Sequence, residues 1–189
     1  MKDLSVKVAG ITFPNPVIAA SGTYGFGEDY APLYPLNKLG GISCKGTTMN
    51  EKPGNLPPRI AETTAGMLNA VGLQNPGVEV FVNHYLPELK KNGNVIIANI
   101  AGAELDDYRR IAQRLDSTDV DMLELNISCP NVKQGGATWG TTCEGAAAVT
   151  KAVKSVTKKP VMVKLTPNVT NITEIAKAVE AEGADCISL

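Results

Sequence analysis

Several features that mark whole classes of protein are absent from this 189-residue chain. It has no dense basic stripe and its formal net charge is −1, so neither nucleic acid nor an anionic membrane is expected as a partner. No apolar run approaches the length that spans a bilayer, and the N-terminus lacks the apolar core of a signal peptide. These absences predict a cytoplasmic protein.

Cysteine and histidine are too few and too scattered for a zinc site. The four cysteines, Cys44, Cys129, Cys143 and Cys186, form no CxxC pair, and His84 is the only histidine. Without a secretion signal, we expect free thiols. Cys44 and Cys186 lie in apolar runs typical of buried strands and are interpreted as packing residues. Cys143 is assigned no role.

Apolar strands alternate with amphipathic helices along the chain. The runs typical of buried strands are residues 17–21, 41–45, 95–100, 122–126, 161–165 and 185–189. Helical patterns cover residues 104–115 and 144–158, and a capping box at 171–174 opens a third helix that runs to Gly183. This alternation predicts an α/β fold with a parallel sheet. Six strands without an obvious break favour a TIM (β/α)8 barrel, although the pattern alone leaves an open sheet possible.

The chain ends inside its sixth predicted strand, at Leu189. A complete (β/α)8 barrel needs roughly 250 residues. We therefore expect residues 1–189 to be the N-terminal part of a single barrel domain. An exposed strand edge would then invite pairing with another chain.

Residues 47–74 form a connection that is too long for a simple crossover. Loops of this length in compact domains are usually functional or disordered. The small and apolar residues at 65–73 favour an ordered, packed loop. Asn75 and Pro76 then predict the start of a helix, with asparagine as the cap and proline in the first turn.

Polar side chains recur where the first five predicted strands end. They are Ser21, Lys45, Asn99, Asn126 and Lys164. Each one alone has an ordinary explanation, such as a lysine that extends to solvent. Together they predict a shared pocket, because the C-terminal strand ends of a barrel meet on one face. Two lysines suit an anionic ligand, and the amide and hydroxyl groups suit a planar heterocycle.

Cys129 lies in the segment Asn-Ile-Ser-Cys-Pro-Asn at 126–131, directly after the fourth predicted strand. Pro130 ends the strand and opens a glycine-rich loop at 132–140. Catalytic and binding residues in α/β folds are concentrated at the C-terminal ends of the strands. A single cysteine is more often structural, but in this place it is a candidate acid–base group or nucleophile.

These motifs resemble the dihydroorotate dehydrogenases, flavin enzymes of pyrimidine biosynthesis built on a TIM barrel. The matching segments are residues 20–23, 44–48, 54–59, 67–77, 126–131 and 163–165. The cysteine is typical of the cytosolic Cys-type enzymes. Residues 45–48, 72–77 and 132–136 are most similar to the catalytic subunit of the NAD-linked subclass.

The resemblance implies FMN-dependent oxidation of dihydroorotate to orotate, with Cys129 as the base that takes a proton from C5 while hydride leaves C6. The implied FMN-binding residues are Ser21, Lys45, Gly46, Asn99, Asn126 and Lys164. The implied substrate-binding residues are Lys45, Asn69, Ala70, Val71, Gly72, Leu73 and Asn126.

The resemblance also implies partners for this chain. The NAD-linked subclass combines a homodimer of catalytic subunits with a subunit that carries FAD and a 2Fe–2S cluster. The loops that hold the FMN phosphate in this family would lie beyond Leu189. We therefore expect residues 1–189 alone to be colourless and inactive.

Two other interpretations stay open. Dihydropyrimidine dehydrogenases share the barrel and the catalytic cysteine, but Asn131 stands where those relatives usually carry histidine. The chain would otherwise be a non-catalytic barrel fragment that pairs through its strand edges. Flavin absorbance distinguishes both flavin enzymes from such a fragment.

Overall fold

The computed structural model describes residues 2–128 and 139–189. The strands are β1 (Val6–Val8), β2 (Ile11–Phe13), β3 (Ile18–Ala19), β4 (Gly41–Ser43), β5 (Ile60–Thr63), β6 (Gly66–Asn69), β7 (Val95–Ile100), β8 (Met122–Asn126), β9 (Val161–Lys164) and β10 (Cys186–Ser188). The α-helices are α1 (Ser21–Tyr24), α2 (Val78–Val80), α3 (Leu86–Lys91), α4 (Leu105–Asp116), α5 (Cys143–Lys154) and α6 (Ile172–Ala181). A π-helical segment, Phe81–Tyr85, joins α2 to α3, and short 3-10 turns lie at Leu36–Lys38 and Trp139–Thr141.

Six strands form one parallel sheet whose spatial order follows the chain: β3, β4, β7, β8, β9, β10. Every neighbouring pair in this sheet is parallel. A doubly wound sheet reverses its strand order, whereas a barrel does not. The strand order therefore confirms the predicted barrel arrangement, and all six predicted strands are present.

Side chains alternate between the two faces of this sheet, as the pleat of a strand requires. On β7, Ile96, Ala98 and Ile100 belong to the large core cluster that also contains the buried faces of α4, α5 and α6. Ile97 points the other way, into the barrel interior. The inner apolar layer there consists of Phe13, Ile97, Met122 and Met162.

The N-terminal hairpin of β1 and β2 closes one end of the barrel interior, and sequence analysis missed it. Its turn residues, Ala9 and Gly10, have φ values of 48° and 84°. Positive φ at both positions matches the twist of a tight hairpin. Phe13, at the end of β2, is fully buried in the inner apolar layer. That layer lies near the N-terminal ends of β8 and β9, which leaves the C-terminal ends for polar residues.

The long connection contains a second unpredicted hairpin, formed by β5 and β6. The expectation that residues 65–73 form a packed loop was wrong for residues 65–70, which are exposed, whereas residues 71–73 are half-buried. The two strands form a sheet of their own. Backbone pairing, and not burial of side chains, therefore orders this segment.

The helix predicted to start at Asn75 and Pro76 begins later, at Val78, and Gly77 is its N-cap residue. Asn75 instead accepts a hydrogen bond from the N–H of Gly77 within the preceding turn. The three helices predicted after β7 are present as α4, α5 and α6, although α5 ends at Lys154. Within residues 2–128 and 139–189, no helix is long and apolar enough to cross a bilayer.

Candidate active site

Along β8, the barrel interior changes from apolar to polar. Met122 belongs to the inner apolar layer. Glu124 is the next side chain on the same face of the strand, and Asn126 follows at its C-terminal end. The polar end of the interior therefore coincides with the C-terminal strand ends, where the sites of barrel enzymes lie.

Glu124 is a buried carboxylate, 5% exposed, at the centre of this interior. Ser43 Oγ and Asn99 Nδ2 donate to its Oε2 at 2.5 and 2.7 Å. Ser188 Oγ donates to its Oε1 at 2.6 Å. Three strands, β4, β7 and β10, thus supply hydrogen-bond donors to one side chain on β8. Sequence analysis missed Glu124, although the alternation in residues 122–126 places it on the same face as Asn126.

Four of the predicted site residues meet around Gly46. A Cβ atom on Gly46 would lie 2.9 Å from Asn99 Oδ1, 2.9 Å from Leu73 Cδ1 and 3.5 Å from Asn126 Nδ2. A side chain at this position would occupy the space between those groups, and glycine leaves the space open. The structure brings these four residues together, and their roles in binding stay predictions.

The two asparagines present opposite hydrogen-bonding groups to the space beside Gly46. Asn99 is fully buried, and its Oδ1 has no hydrogen-bond partner among the described residues. Asn126 Oδ1 accepts a hydrogen bond from Ser128 Oγ at 2.9 Å, which leaves Nδ2 on the side of Gly46. Tyr108 further fixes this strand end by donating to the main-chain oxygen of Asn126 at 3.0 Å. An adjacent acceptor and donor suit the edge of a planar heterocycle.

Ser21 and Lys164 share a cavity of about 370 Å³ on the inner face of the sheet. Ser43 and Glu124 form part of its wall. Residues of β3 and β10 also line it, so the sheet curls until its two edge strands face a common space. The volume lies within the range of small-molecule sites. Two more of the predicted cofactor residues therefore lie together.

Lys45 lies just after β4 and lines a separate cavity of about 250 Å³ with Gln74, Asn75 and Tyr85. Its own N–H donates to the main-chain oxygen of Gly25 at 2.9 Å. Lys45 thus lies next to the end of the long connection. Gly46, which follows it in the chain, lies next to Asn99 and Asn126. Lys45 therefore lines a different cavity from the one that Ser21 and Lys164 share.

Asn75 holds the end of the long connection, although sequence analysis gave it only a capping role. It is 4% exposed. Its Oδ1 accepts hydrogen bonds from the N–H groups of Thr48 and Gly77 at 3.0 Å each, and its Nδ2 donates to Leu73 O at 2.9 Å. Leu73 has a φ of 55°, which is uncommon for a residue other than glycine. Asn75 thereby helps to hold Leu73 in the conformation that directs its side chain to Gly46.

Four further predicted substrate residues precede Leu73 in the chain: Asn69, Ala70, Val71 and Gly72. Asn69 pairs with Ile60 at the end of the exposed hairpin, and both Asn69 and Ala70 are exposed. Leu73 is the member of this stretch whose side chain reaches Gly46. Substrate binding by the other four stays a prediction.

Cys129, the predicted base, lies outside the described residues. The structure does describe Cys44, which is fully buried and confirms the packing role predicted for it. Burial raises the pKa of the Cys44 thiol well above its usual range, and the charge of Glu124 raises it further. Burial, followed by the charges of Asp185 and Glu124, raises the pKa of the half-buried Cys186 to about 11. Both thiols therefore stay protonated at neutral pH.

Comparison with known proteins identifies relatives over the whole chain. The family model described as dihydroorotate dehydrogenase matches residues 3–189. The catalytic subunit of dihydroorotate dehydrogenase B (NAD(+)) from Oceanobacillus iheyensis is 53% identical over 188 residues, which are 99% of this chain and 62% of the relative. The subunit of the same name from Porphyromonas gingivalis is 54% identical over 181 residues, which are 95% of this chain and 59% of that relative. The chain thus spans about three fifths of the length of these curated relatives.

A solved structure supports the fold. The crystal structure of DHODH from Eimeria tenella in complex with ferulenol matches with a TM-score of 0.74 and 21% sequence identity. The match covers 98% of this chain and 58% of that chain. Together with the strand order, it confirms the predicted TIM-barrel fold.

The replacement Asn75→Ala should lower the free energy of unfolding by about 2–3 kcal/mol, because it leaves buried main-chain groups without partners. Denaturation in urea measures this change. The matched control is Asn83→Ala, since Asn83 is exposed and bonds to Glu79 in its own helical segment. We expect the control to stay within about 0.5 kcal/mol of the wild type. Equal small losses for both variants would show that Asn75 does not hold the connection.

Proposed function

Because the chain belongs to the dihydroorotate dehydrogenase family, we propose that the protein containing it oxidises dihydroorotate to orotate in pyrimidine biosynthesis. A proton leaves C5 of the substrate, a hydride leaves C6, and a C5–C6 double bond forms. FMN, when bound, supplies the hydride acceptor. The observation that carries the proposal is the buried Asn99 Oδ1, which has no partner among the described residues and lies beside Asn126 Nδ2.

The residues beside Gly46 fit the ring system of FMN. A buried acceptor without a partner costs about 1–3 kcal/mol, so Asn99 Oδ1 needs a donor from a ligand or water. The pyrimidine edge of a flavin carries carbonyl acceptors next to a ring N–H, which match Asn126 Nδ2 and Asn99 Oδ1. Glycine at position 46 lets a ligand approach the backbone between the two amides, because a Cβ there would contact both of them. The remaining residues that we assign to FMN are Ser21, Lys45 and Lys164.

Lys164 supplies a positive charge at the cofactor. It lines the cavity on the inner face of the sheet together with Ser21. An ammonium group in this position stabilises the negative charge that arrives with the hydride. Fixed charges in a site that excludes water act more strongly than the same charges in solution.

Lys45 is proposed to bind the carboxylate of the substrate as well as the cofactor. A charge-assisted hydrogen bond between ammonium and carboxylate is among the stronger polar contacts in proteins. The position of Lys45 beside Gln74 and Asn75 supports this role, because the same connection carries Leu73 to Gly46. We assign the rest of the substrate site to Asn126 and to Asn69, Ala70, Val71, Gly72 and Leu73.

Cys129 is proposed as the base that removes the C5 proton. The C–H group is a weak acid, so the reaction needs a positioned base of suitable pKa. A cysteine takes a proton as its thiolate, and a cation beside the thiol favours that form. Ser128, which precedes the cysteine, is bonded to Asn126, so the chain leads from the proposed flavin site directly to residue 129.

The names of the relatives support a complex with a second subunit, since they describe catalytic subunits of an NAD(+) enzyme. We propose that two catalytic subunits pair with a subunit that carries FAD and a 2Fe–2S cluster and passes electrons to NAD+. We place this complex in the cytoplasm. The same names favour dihydroorotate over dihydropyrimidines as the substrate.

The replacement Cys129→Ser should slow reduction of the bound flavin by dihydroorotate by about 10²–10⁴-fold at neutral pH, because a hydroxyl is far harder to deprotonate. Anaerobic stopped-flow absorbance of the protein that contains this chain measures the rate. Cys143→Ser is the matched control and should react at the wild-type rate, since Cys143 begins α5 and has no proposed role. Near-normal reduction in the Cys129 variant would remove this cysteine from the mechanism.

The replacement Lys45→Ala should weaken orotate binding by about 1.5–3 kcal/mol, which is typical of a lost charge-assisted hydrogen bond. Titration calorimetry measures the affinity. Lys38→Ala is the matched control, because Lys38 is an exposed lysine in the 3-10 turn before β4. Orotate affinity that is unchanged by Lys45→Ala would place this lysine outside the substrate site.

A further inference from the structure

Glu124 has no role in the reaction proposed above, although it is the one buried carboxylate among the residues that the structure describes. Its three hydrogen bonds come from Ser43, Asn99 and Ser188. Two of these partners are serines, whose hydroxyls can turn to donate or accept. The third partner is the amide of Asn99, which has a donor end and an acceptor end. The carboxylate can therefore decide which end of this amide faces it.

The orientation of the Asn99 amide follows from the chemistry of its neighbour. An ionised carboxylate only accepts hydrogen bonds, so the amide must turn Nδ2 toward Glu124. The reverse orientation would set two oxygens against each other at the 2.7 Å that separates Asn99 Nδ2 from Glu124 Oε2. With Nδ2 fixed, Oδ1 necessarily faces away from the carboxylate. It is directed to the space beside Gly46.

Burial of an unpartnered amide oxygen does not by itself indicate a ligand. Asn94 also has a buried Oδ1 without a partner among the described residues. Its Nδ2 donates to the main-chain oxygens of Leu36 and Leu39, in the turn before β4. Asn99 differs because an acidic side chain holds its amide and because its unpartnered oxygen is directed to Gly46, where a Cβ would lie 2.9 Å away.

We infer that Glu124 is a positioning residue, which fixes the Asn99 amide so that the site offers an acceptor to a ring N–H of its ligand. The inference rests on the proposed function, in which that ligand is FMN. The pyrimidine ring of oxidised FMN has a single ring N–H, between two carbonyl groups. A reversed Asn99 amide would present its own N–H groups to the ring N–H of FMN, and two donors cannot form a hydrogen bond. Glu124 therefore makes the site selective for a ligand that has a donor next to Asn99.

The fixation is rigid because Glu124 itself is held from several sides. Ser43 on β4 and Ser188 on β10 occupy further acceptor positions of the carboxylate. Asn99 on β7 and Glu124 on β8 are direct partners in the ladder between those strands. The orientation of one amide therefore depends on four strands of the sheet, and not on a flexible loop.

An exchange of the two side chains tests this inference. Asn99→Asp places two carboxylates in contact, which cannot both be ionised. In the double variant Asn99→Asp/Glu124→Gln, the introduced amide donates to the introduced carboxylate, whose other oxygen again faces Gly46. The double variant keeps the charge and the shape of the wild-type pair. Affinity for FMN is measured by quenching of flavin fluorescence in the complete protein that contains this chain, after removal of the bound cofactor.

We expect Asn99→Asp to weaken FMN binding by roughly 10–100-fold, and the double variant to recover to within about fivefold of the wild type. Glu124→Gln alone lets the Asn99 amide face either way, which should raise the dissociation constant by only about twofold. Asn92→Asp is the matched control, because it makes the same change at an exposed asparagine at the end of α3, outside the site. We expect its affinity to stay within about threefold of the wild type.

The outcomes separate the inference from the proposed function. Wild-type protein that does not bind FMN would overturn the proposed function. FMN binding by the wild type without recovery in the double variant would overturn the positioning role alone, because a packing role gives no reason for the exchange to restore affinity. If Asn99→Asp fails to fold, the double variant still decides, since it must fold and bind FMN to within about fivefold of the wild type.

Discussion

The alternation of side chains along β8 is the constraint on which the site depends. Because successive side chains of a strand face opposite sides of the sheet, Met122, Glu124 and Asn126 are stacked along one line inside the barrel. Met122 completes the apolar layer that Phe13 closes. Glu124 then meets donors from three other strands, and Asn126 reaches the open end. A shift of this strand by one residue would direct Leu123 and Leu125 inward and remove the polar interior altogether.

The proposed chemistry uses the parts of this interior that other elements hold in place. Asn99 and Asn126 are fixed by side chains of the sheet and of the segment that follows it, through Glu124 and Ser128. Leu73 comes from the long connection, whose end is fixed by Asn75. The site therefore combines rigid strand ends, suited to a tightly held flavin, with a connection suited to a substrate that enters and leaves. This division is typical of barrel enzymes, in which loops vary over a constant sheet.

The sequence predicted the sheet and much of the site, because buried parallel strands are continuous apolar runs with polar residues at their ends. The two hairpins were not predictable in the same way. The first hairpin has Ala9 and Gly10 in its turn, and no sequence signal indicates an alanine at positive φ. The second hairpin is exposed, so its apolar residues suggested burial that does not occur. Glu124 was overlooked because a single acid in an apolar run gives no sign of its partners, which come from positions 43, 99 and 188.

The most direct test of this account is a titration of FMN into the complete protein, as wild type and as Gly46→Ala. In the proposed binding mode, the flavin ring lies against Gly46, between Asn99 Oδ1 and Asn126 Nδ2. We expect the wild type to bind FMN stoichiometrically. We expect Gly46→Ala, whose added Cβ would lie 2.9 Å from Asn99 Oδ1, to bind FMN much more weakly while remaining folded. Equal FMN affinity in the two proteins would contradict the account, as would a wild-type protein that takes up no flavin.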